Sequence, residues 1–193
     1  MASAPPIPAA HEAGHVSIPE SVDFPFEIVD GQRVVLPPMS AYASRIASNI
    51  IVQLGGYVLG NNLGSVVMET LFRLDLPVDR NRRPDVAFVS NERWPASREM
   101  PARDNAWNVV PDLSIEVVSP TDYAADVLEK VDEYFRSGVR QVWLVFPELQ
   151  MLYAYDSLRS VRILGDADEL DGGNLIPGMR LNLTTIFPKV EIK

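Results

Sequence analysis

Residues 111–146 carry the pattern that most restricts the possible fold: a buried strand, an amphipathic helix and a second buried strand. LSIEVV (113–118) and RQVWLVF (140–146) are apolar runs of strand length, typical of strands covered on both faces. Between them, residues 122–137 have helical periodicity and end at Gly138, because glycine favours helix termination. The segment therefore predicts a βαβ crossover, with two parallel strands in a mixed sheet that helices flank.

Carboxylates interrupt two of the predicted strands. Glu116 lies in the middle of LSIEVV, and Asp85 opens the strand RRPDVAFVS (82–90) directly after Pro84. A buried ionised carboxylate is costly unless it is paired with a cation or binds a metal, so Glu116 requires a partner. An aspartate at a strand entrance is more often a turn residue, and Asp85 taken alone fits that ordinary role.

Lys130 falls on the apolar face of the predicted helix. At about 100° per residue it lies about 20° from Tyr123. Arginine outnumbers lysine fourteen to three, and the other lysines are Lys189 and Lys193, so the chain uses arginine where it needs a surface cation. A lysine can also extend its stem along the core and keep its amine in water, and for Lys130 alone that interpretation stays open. The acidic residues expected on the solvated or flanking sides of the helix are Glu129, Asp132 and Glu133.

Shorter patterns predict the remaining elements. Asp30-Gly31 within FEIVDGQRVVL (26–36) indicates a hairpin, because glycine accepts the positive φ of a tight turn. Apolar residues four apart predict a helix from Met39 to about Tyr57, which Gly55-Gly56 is expected to stop. The further strands predicted are 64–75, 82–90 and 151–157.

Length and composition predict one domain. A chain of 193 residues with 47% hydrophobic residues can bury one sizeable core. We expect residues 1–22, rich in Pro, Ala and Ser, to be a disordered tail, and residues 23–193 to be a single domain. Both histidines, His11 and His15, lie in that tail, so a Ser-His-Asp triad is not expected. The absence of cysteine, signal peptide and apolar span predicts a cytoplasmic protein without membrane contact.

The charge argues against a large nucleic-acid footprint. The net charge is −9, and phosphate binding is driven mainly by Lys and Arg. Residues 73–103 contain seven arginines against five acidic residues, which favours an ordinary solvated loop of mixed charge. Its arginines are Arg73, Arg80, Arg82, Arg83, Arg93, Arg98 and Arg103.

The order Pro84-Asp85, Glu116 and Lys130 resembles the PD-(D/E)XK nuclease superfamily. In that superfamily two acidic residues on adjacent strands hold Mg²⁺ and a lysine assists. The usual lysine position, two residues after the second acid, is Val118 in this chain. The lysine can lie on the following helix instead, and Lys130 occupies such a position.

The whole chain also resembles a bacterial family of restriction endonuclease-like proteins once catalogued as a domain of unknown function. The blocks FEIVDG, RRPDVAFVS, IEVVSP, VWLV and LIPGMRL follow one another over about residues 25–188. Two positions differ from the family pattern. Phe146 stands where an aspartate is expected, and near Ala43 the family often has a histidine.

The resemblance implies a restriction endonuclease-like α/β fold: a mixed β-sheet flanked by helices, with an N-terminal β-hairpin. It implies that Asp85 and Glu116 bind Mg²⁺ or Mn²⁺ and that the backbone carbonyl of Val117 is a further ligand. Lys130 would orient the attacking water or stabilise the transition state. Gln141, at the start of the following strand, is favoured as an ordinary strand-edge residue.

The expected activity is hydrolysis of DNA phosphodiester bonds. A homodimer would supply the two sites that double-strand cleavage requires. The alternative, which the acidic charge favours, is a non-catalytic interaction or regulatory domain that keeps the nuclease fold. Both would bind a divalent ion, so hydrolysis itself separates them.

Overall fold

The computed structural model describes residues 24–100, 102 and 104–188, so the predicted tail and both histidines lie outside the described residues. The helices are α1 (Ala41–Gly60), α2 (Ala124–Arg136) and α3 (Leu183–Ile186). The strands are β1 (Phe26–Val29), β2 (Gln32–Val35), β3 (Gly64–Met68), β4 (Phe72–Arg73), β5 (Asn81–Arg82), β6 (Val86–Ser90), β7 (Leu113–Val117), β8 (Gln141–Phe146), β9 (Met151–Ser157), β10 (Ser160–Gly165), β11 (Glu169–Asp171) and β12 (Arg180–Asn182).

A six-stranded mixed sheet forms the centre of the fold. Its strand order is β10-β9-β8-β7-β6-β3. β7 and β8 are parallel and are connected through α2, whereas the other neighbours are antiparallel. The βαβ crossover and the mixed sheet predicted from the sequence are confirmed.

Each face of this sheet is covered by its own core. α1 packs on one face, where Ile50 and Leu54 join Leu113 and Ile115 of β7 in one buried cluster. α2 lies on the other face, where Tyr134 belongs to a second buried cluster. Because side chains alternate along a strand, Glu116 points to the face opposite Leu113 and Ile115. That direction brings it to α2.

A second sheet with the order β2-β1-β5-β4 contains the N-terminal hairpin. β1 and β2 are joined by Asp30 and Gly31, whose φ angles are 51° and 73°. Two successive positive φ angles are the geometry of a type I′ turn, so the predicted hairpin is confirmed. Arg80 and Arg82 connect this sheet to α2 through ion pairs with Glu133.

Two segments predicted as single strands are each divided between the two sheets. Residues 64–75 form β3 and β4, and residues 82–90 belong to β5 and β6. Glu69 has a φ of 43°, which takes the chain out of the extended conformation. Its N–H donates to the Asp85 carbonyl at 3.1 Å. The chain therefore leaves the central sheet after β3 next to the point where it re-enters that sheet at β6. A backbone turn of this kind does not disturb the apolar pattern, so the sequence does not reveal it.

The expected stop of α1 at Gly55-Gly56 is wrong, because the helix continues to Gly60. Val58 prolongs the buried stripe of Ile50 and Leu54, and this packing outweighs the roughly 1 kcal/mol that a glycine costs inside a helix. Among the residues described, no helix is both long and apolar enough to cross a membrane.

Two residues of the crossover helix also differ from expectation. Glu133, expected in solvent, is only 2% exposed, because Arg80 and Arg82 of the second sheet cover it. Tyr123, which the helical pattern places on the apolar face, is 77% exposed. It is the N-cap of α2 and not part of the helix itself, so the helical periodicity does not hold at this position.

The continuity of α1 can be tested with Gly56→Ala, for which Gly64→Ala at the start of β3 serves as a contrast. Gly56→Ala should raise the free energy of unfolding by up to about 1 kcal/mol, since the added Cβ meets nothing within 4 Å. Gly64→Ala should lower it by at least about 2 kcal/mol, because φ is +155° and the Cβ would lie 2.1 Å from the Val89 carbonyl oxygen. Urea denaturation measures both. A loss of stability in Gly56→Ala would contradict a continuous helix.

Candidate active site

Asp85 and Glu116 meet because of the register between two antiparallel strands. Val86 of β6 pairs with Ile115 of β7, and continuing that register by one residue places Asp85 opposite Glu116. Directly opposed residues lie on the same face of a sheet, with Cβ atoms about 4.5–5.5 Å apart. The two carboxylates therefore stand side by side at the sheet end where β6 begins and β7 ends.

Asp85 is held by the backbone of the neighbouring strand. Its Oδ2 accepts a hydrogen bond from the Val117 N–H at 2.6 Å. Burial, with a contribution from the negative charge of Glu116, raises the pKa of Asp85 to about 7 although the Val117 N–H and Lys130 oppose the shift. No described residue donates a hydrogen bond to Oδ1 of Asp85, which leaves that oxygen available to an external cation.

Glu116 is held from the α2 side. The Tyr134 hydroxyl donates to its Oε1 at 2.6 Å, and the Glu116 side chain is 12% exposed. Burial raises the pKa of Glu116 although Lys130 opposes the shift. Burial and the adjacent Glu116 likewise raise the pKa of Tyr134, so this phenol stays protonated and continues to donate.

Lys130 points at the carboxylates and not into solvent. Its Nζ lies 3.5 Å from Oε2 of Glu116 and 3.2 Å from Oε1 of Glu27, and its side chain is 23% exposed. Burial acts to lower the pKa of Lys130, but the charges of Glu116 and Glu27 outweigh it and raise the pKa above its usual value. The lysine is therefore a fixed cation at neutral pH.

Glu27 of the hairpin belongs to the same site, although the sequence did not single it out. Its carboxylate is 2% exposed and pairs with both Lys130 and Arg82, and it also accepts the Arg83 N–H at 3.0 Å. Burial acts to raise its pKa, but Lys130 and Arg82 outweigh that effect and lower the pKa. One signal was present: Glu27 is an acid between Phe26 and Ile28 in a short strand, as Glu116 is in its own strand.

Three of these residues line an open cleft of about 450 Å³. Asp85, Glu116 and Lys130 lie in its wall. The start of α1 also lines the cleft, through Ala43, the position near which the family often has a histidine. A residue at this point of α1 therefore faces the cleft, and in this chain it has no titratable group.

The donor set of the cleft matches a hard divalent cation. Within residues 24–100, 102 and 104–188, no three Asp, Glu or His side chains gather as a metal site. Two opposed carboxylates are nevertheless sufficient for Mg²⁺, which commonly takes one or two carboxylates and completes its octahedron with water and substrate oxygens. Asp85, with one oxygen free of described donors, and Glu116 fit that pattern.

Other candidates from the sequence are placed elsewhere or have other partners. The Val117 N–H is taken by Asp85, and the role of its carbonyl as a ligand stays a prediction. Gln141 lies at the opposite end of β8 from the cleft and donates to Asp156 at 2.6 Å. Of the arginine-rich stretch, Arg80 and Arg82 are buried in ion pairs. These two are therefore structural and not part of a solvated loop.

The sequence matches the model of the family described as "Putative restriction endonuclease" (Uma2) over residues 16–184. The chain belongs to this family. Among solved structures, it is similar to a putative nuclease belonging to DUF820 from Anabaena variabilis, with a TM-score of 0.71 and 18% identity over 84% of this chain and 89% of that chain. This similarity establishes a common fold. No curated protein matches the sequence significantly.

The restriction endonuclease-like fold expected from the sequence is thus confirmed. Family membership and fold place the chain among nuclease-like proteins. The roles of Asp85, Glu116, Val117 and Lys130, which the resemblance implies, stay predictions.

Asp85→Asn should stabilise the metal-free protein at about pH 8 and leave it nearly unchanged at about pH 4. The pKa of Asp85 is about 7 in the folded protein, against an ordinary value of 3.8. Between these two pH values the folded protein holds a proton on Asp85 that the unfolded chain releases. The contribution of Asp85 to the stability of the wild type therefore falls as pH rises from about 4 to 7. Asparagine removes the charge and can still accept the Val117 N–H. The gain should be at most about 4 kcal/mol.

Urea unfolding in EDTA at several pH values measures this difference. Adding Mg²⁺ at about pH 8 should stabilise the wild type more than at about pH 6, because the ion competes with the proton on Asp85. Mg²⁺ should stabilise Asp85→Asn only weakly at both pH values. If Asp85→Asn were the less stable protein at about pH 8 in EDTA, the buried-carboxylate description would be wrong.

Glu27→Gln should lower the free energy of unfolding by about 3 kcal/mol, because it leaves Lys130 and Arg82 short of a buried countercharge. Lys130→Met should cost less in the Glu27→Gln background than in the wild type, with a coupling of about 1 kcal/mol or more. The matched control is Asp132→Asn, which breaks the exposed Arg136–Asp132 pair and should change stability by less than about 0.5 kcal/mol. Equal effects of Glu27→Gln and Asp132→Asn would refute the buried ion-pair network.

Proposed function

We propose that this protein is an endonuclease that hydrolyses DNA phosphodiester bonds with Mg²⁺ or Mn²⁺. One observation carries the proposal: Asp85 and Glu116 are opposed at the end of a strand pair, in an open cleft, with the Lys130 ammonium 3.5 Å from Glu116. Membership of a family described as a restriction endonuclease family supports this chemistry.

Asp85 and Glu116 would hold the divalent ion, with the Val117 carbonyl as a candidate third ligand. Bound there, the ion would supply a Lewis acid for the scissile phosphate and for the attacking water. Hydrogen bonds from the Val117 N–H and the Tyr134 hydroxyl fix the directions of the two carboxylates. Such preorganisation lowers the cost of arranging ligands during the reaction.

Lys130 would act as a cation and not as a base. Glu27 and Glu116 hold its pKa above the usual value, so the amine keeps its proton. An ammonium has three donors, and its ion-pair partners among the described residues are these two carboxylates. The third N–H is available to a phosphate oxygen or to the attacking water, where it would stabilise the charge that develops in the transition state.

A non-catalytic interaction or regulatory domain that keeps the nuclease fold is the second candidate function. The observation that favours it is the charge: the chain carries −9 overall, and Arg80 and Arg82 are consumed by internal ion pairs. Cleavage of both strands of a duplex would require two sites, which a homodimer would supply.

Lys130→Ala should lower the rate of DNA cleavage by roughly 10²- to 10³-fold, the usual effect of removing one charge-stabilising donor. Lys130→Arg should recover only part of the rate, because its planar head group is wider than an ammonium. The measurement is nicking of supercoiled plasmid with Mg²⁺ or Mn²⁺ and with EDTA. Arg136→Ala, which removes an exposed cation from the same helix, is the control and should cleave at the wild-type rate.

Two results would overturn the proposal in different ways. Wild-type rates for both Lys130 variants would make the lysine structural. A wild-type protein that never cleaves DNA with any divalent ion, although it is folded and binds the ion, would favour the interaction-domain function.

A further inference from the structure

The candidate active-site cleft adjoins a second recess of about 390 Å³ between the β1–β2 hairpin and the start of α2. Glu116 and Lys130 line both recesses, so the two are neighbours that share a wall. We call the second recess the hairpin arm. Its apolar walls are formed by Val29, Val34, Leu36, Tyr123 and Val127.

Tyr123 lies at the lip of the hairpin arm and is 77% exposed. About three turns further along, Tyr134 is completely buried, so the exposure of Tyr123 is not shared by the helix face. Val34, which lines the same recess, is 42% exposed. An exposed aromatic ring beside apolar side chains offers a flat surface on which another ring can stack.

The charges around the hairpin arm restrict what can enter it. Asp122, Asp126 and Glu129 line it together with the apolar residues. The cations that line it, Lys130 and Arg82, are already paired with carboxylates. A phosphate group would be repelled from this recess, whereas an uncharged aromatic ring would not.

We propose that the hairpin arm binds one unpaired nucleobase of the substrate, stacked on Tyr123, while the adjoining phosphate lies at Asp85, Glu116 and Lys130. This proposal rests on the proposed nuclease function and specifies its substrate. A base that is paired and stacked within a duplex cannot enter a recess, so the substrate is single-stranded or locally unpaired nucleic acid.

The overall charge agrees with this substrate class. Duplex binding depends on many lysines and arginines that neutralise phosphates, and single strands have a weaker dependence per contact. Stacking on aromatic residues supplies binding energy without any basic groove. A chain with a net charge of −9 can therefore bind a single strand through the base where it cannot follow a duplex backbone.

The test compares three labelled oligonucleotides of about ten nucleotides: a single strand, the same strand with abasic residues, and the duplex. Dissociation constants are measured by fluorescence anisotropy with Ca²⁺ in place of Mg²⁺, and cleavage is measured with Mg²⁺. The proteins are the wild type, Tyr123→Ala and Tyr123→Phe. Leu128→Ala is the matched control, because Leu128 is an exposed apolar residue of the same helix that lines neither recess.

Tyr123→Ala should bind the intact single strand roughly 10-fold more weakly than the wild type. On the abasic strand the two proteins should bind alike, since no base is present to stack. Tyr123→Phe and Leu128→Ala should bind like the wild type, which should prefer the single strand to the duplex. Nicking should accordingly be faster on supercoiled than on relaxed plasmid, because supercoiling promotes local unpairing.

The inference is overturned if Tyr123→Ala weakens binding of the intact and abasic strands equally. It is overturned as well if the wild type cleaves DNA and Tyr123→Ala binds the intact single strand as tightly as the wild type. It is also overturned if Tyr123→Ala changes the sedimentation mass without changing the affinity for nucleic acid, because the hairpin arm would then be a surface between copies of the chain. Failure of the proposed function differs from these results: the wild type itself would cleave none of the substrates.

Discussion

The register of β6 against β7 is the constraint on which the site depends, because it opposes Asp85 to Glu116. Two carboxylates in one partly buried place repel each other, and burial adds to the cost of charging either one. The raised pKa values of both acids express that cost. A site that is unfavourable when it holds only its own charges is well suited to a divalent cation, which relieves the repulsion when it binds.

The second sheet makes this arrangement stable. Glu27 on β1 and Arg82 on β5 form an ion pair, and Arg82 also pairs with Glu133 on α2. Glu27 then reaches Lys130 on the same helix. The hairpin is thus joined to the face of α2 that bears Lys130, and the position of the lysine depends on a strand that lies about a hundred residues earlier in the chain. Fold and site share one network of buried charges.

The sequence predicted the parts of the molecule that repeat regularly. The βαβ crossover and the hairpin at Asp30 follow from periodicity and turn chemistry. Periodicity also placed Lys130 on the apolar face of its helix, whereas its position beside Glu116 was implied only by the resemblance. Tertiary contacts decided the rest. Glu133 is buried because arginines from another sheet reach it, and α1 passes Gly55 because the core packs against its last turns. Such partners are distant in sequence, so no local pattern shows them.

The central claim is that Asp85 and Glu116 share one divalent ion. Anomalous diffraction from crystals containing Mn²⁺ tests it most directly, because the signal locates the metal independently of any activity. The account predicts one strong peak within about 2.3 Å of a carboxylate oxygen from each of Asp85 and Glu116, and none there in crystals of Asp85→Asn. A peak bound elsewhere, or carboxylates more than about 10 Å apart with no peak between them, would contradict it.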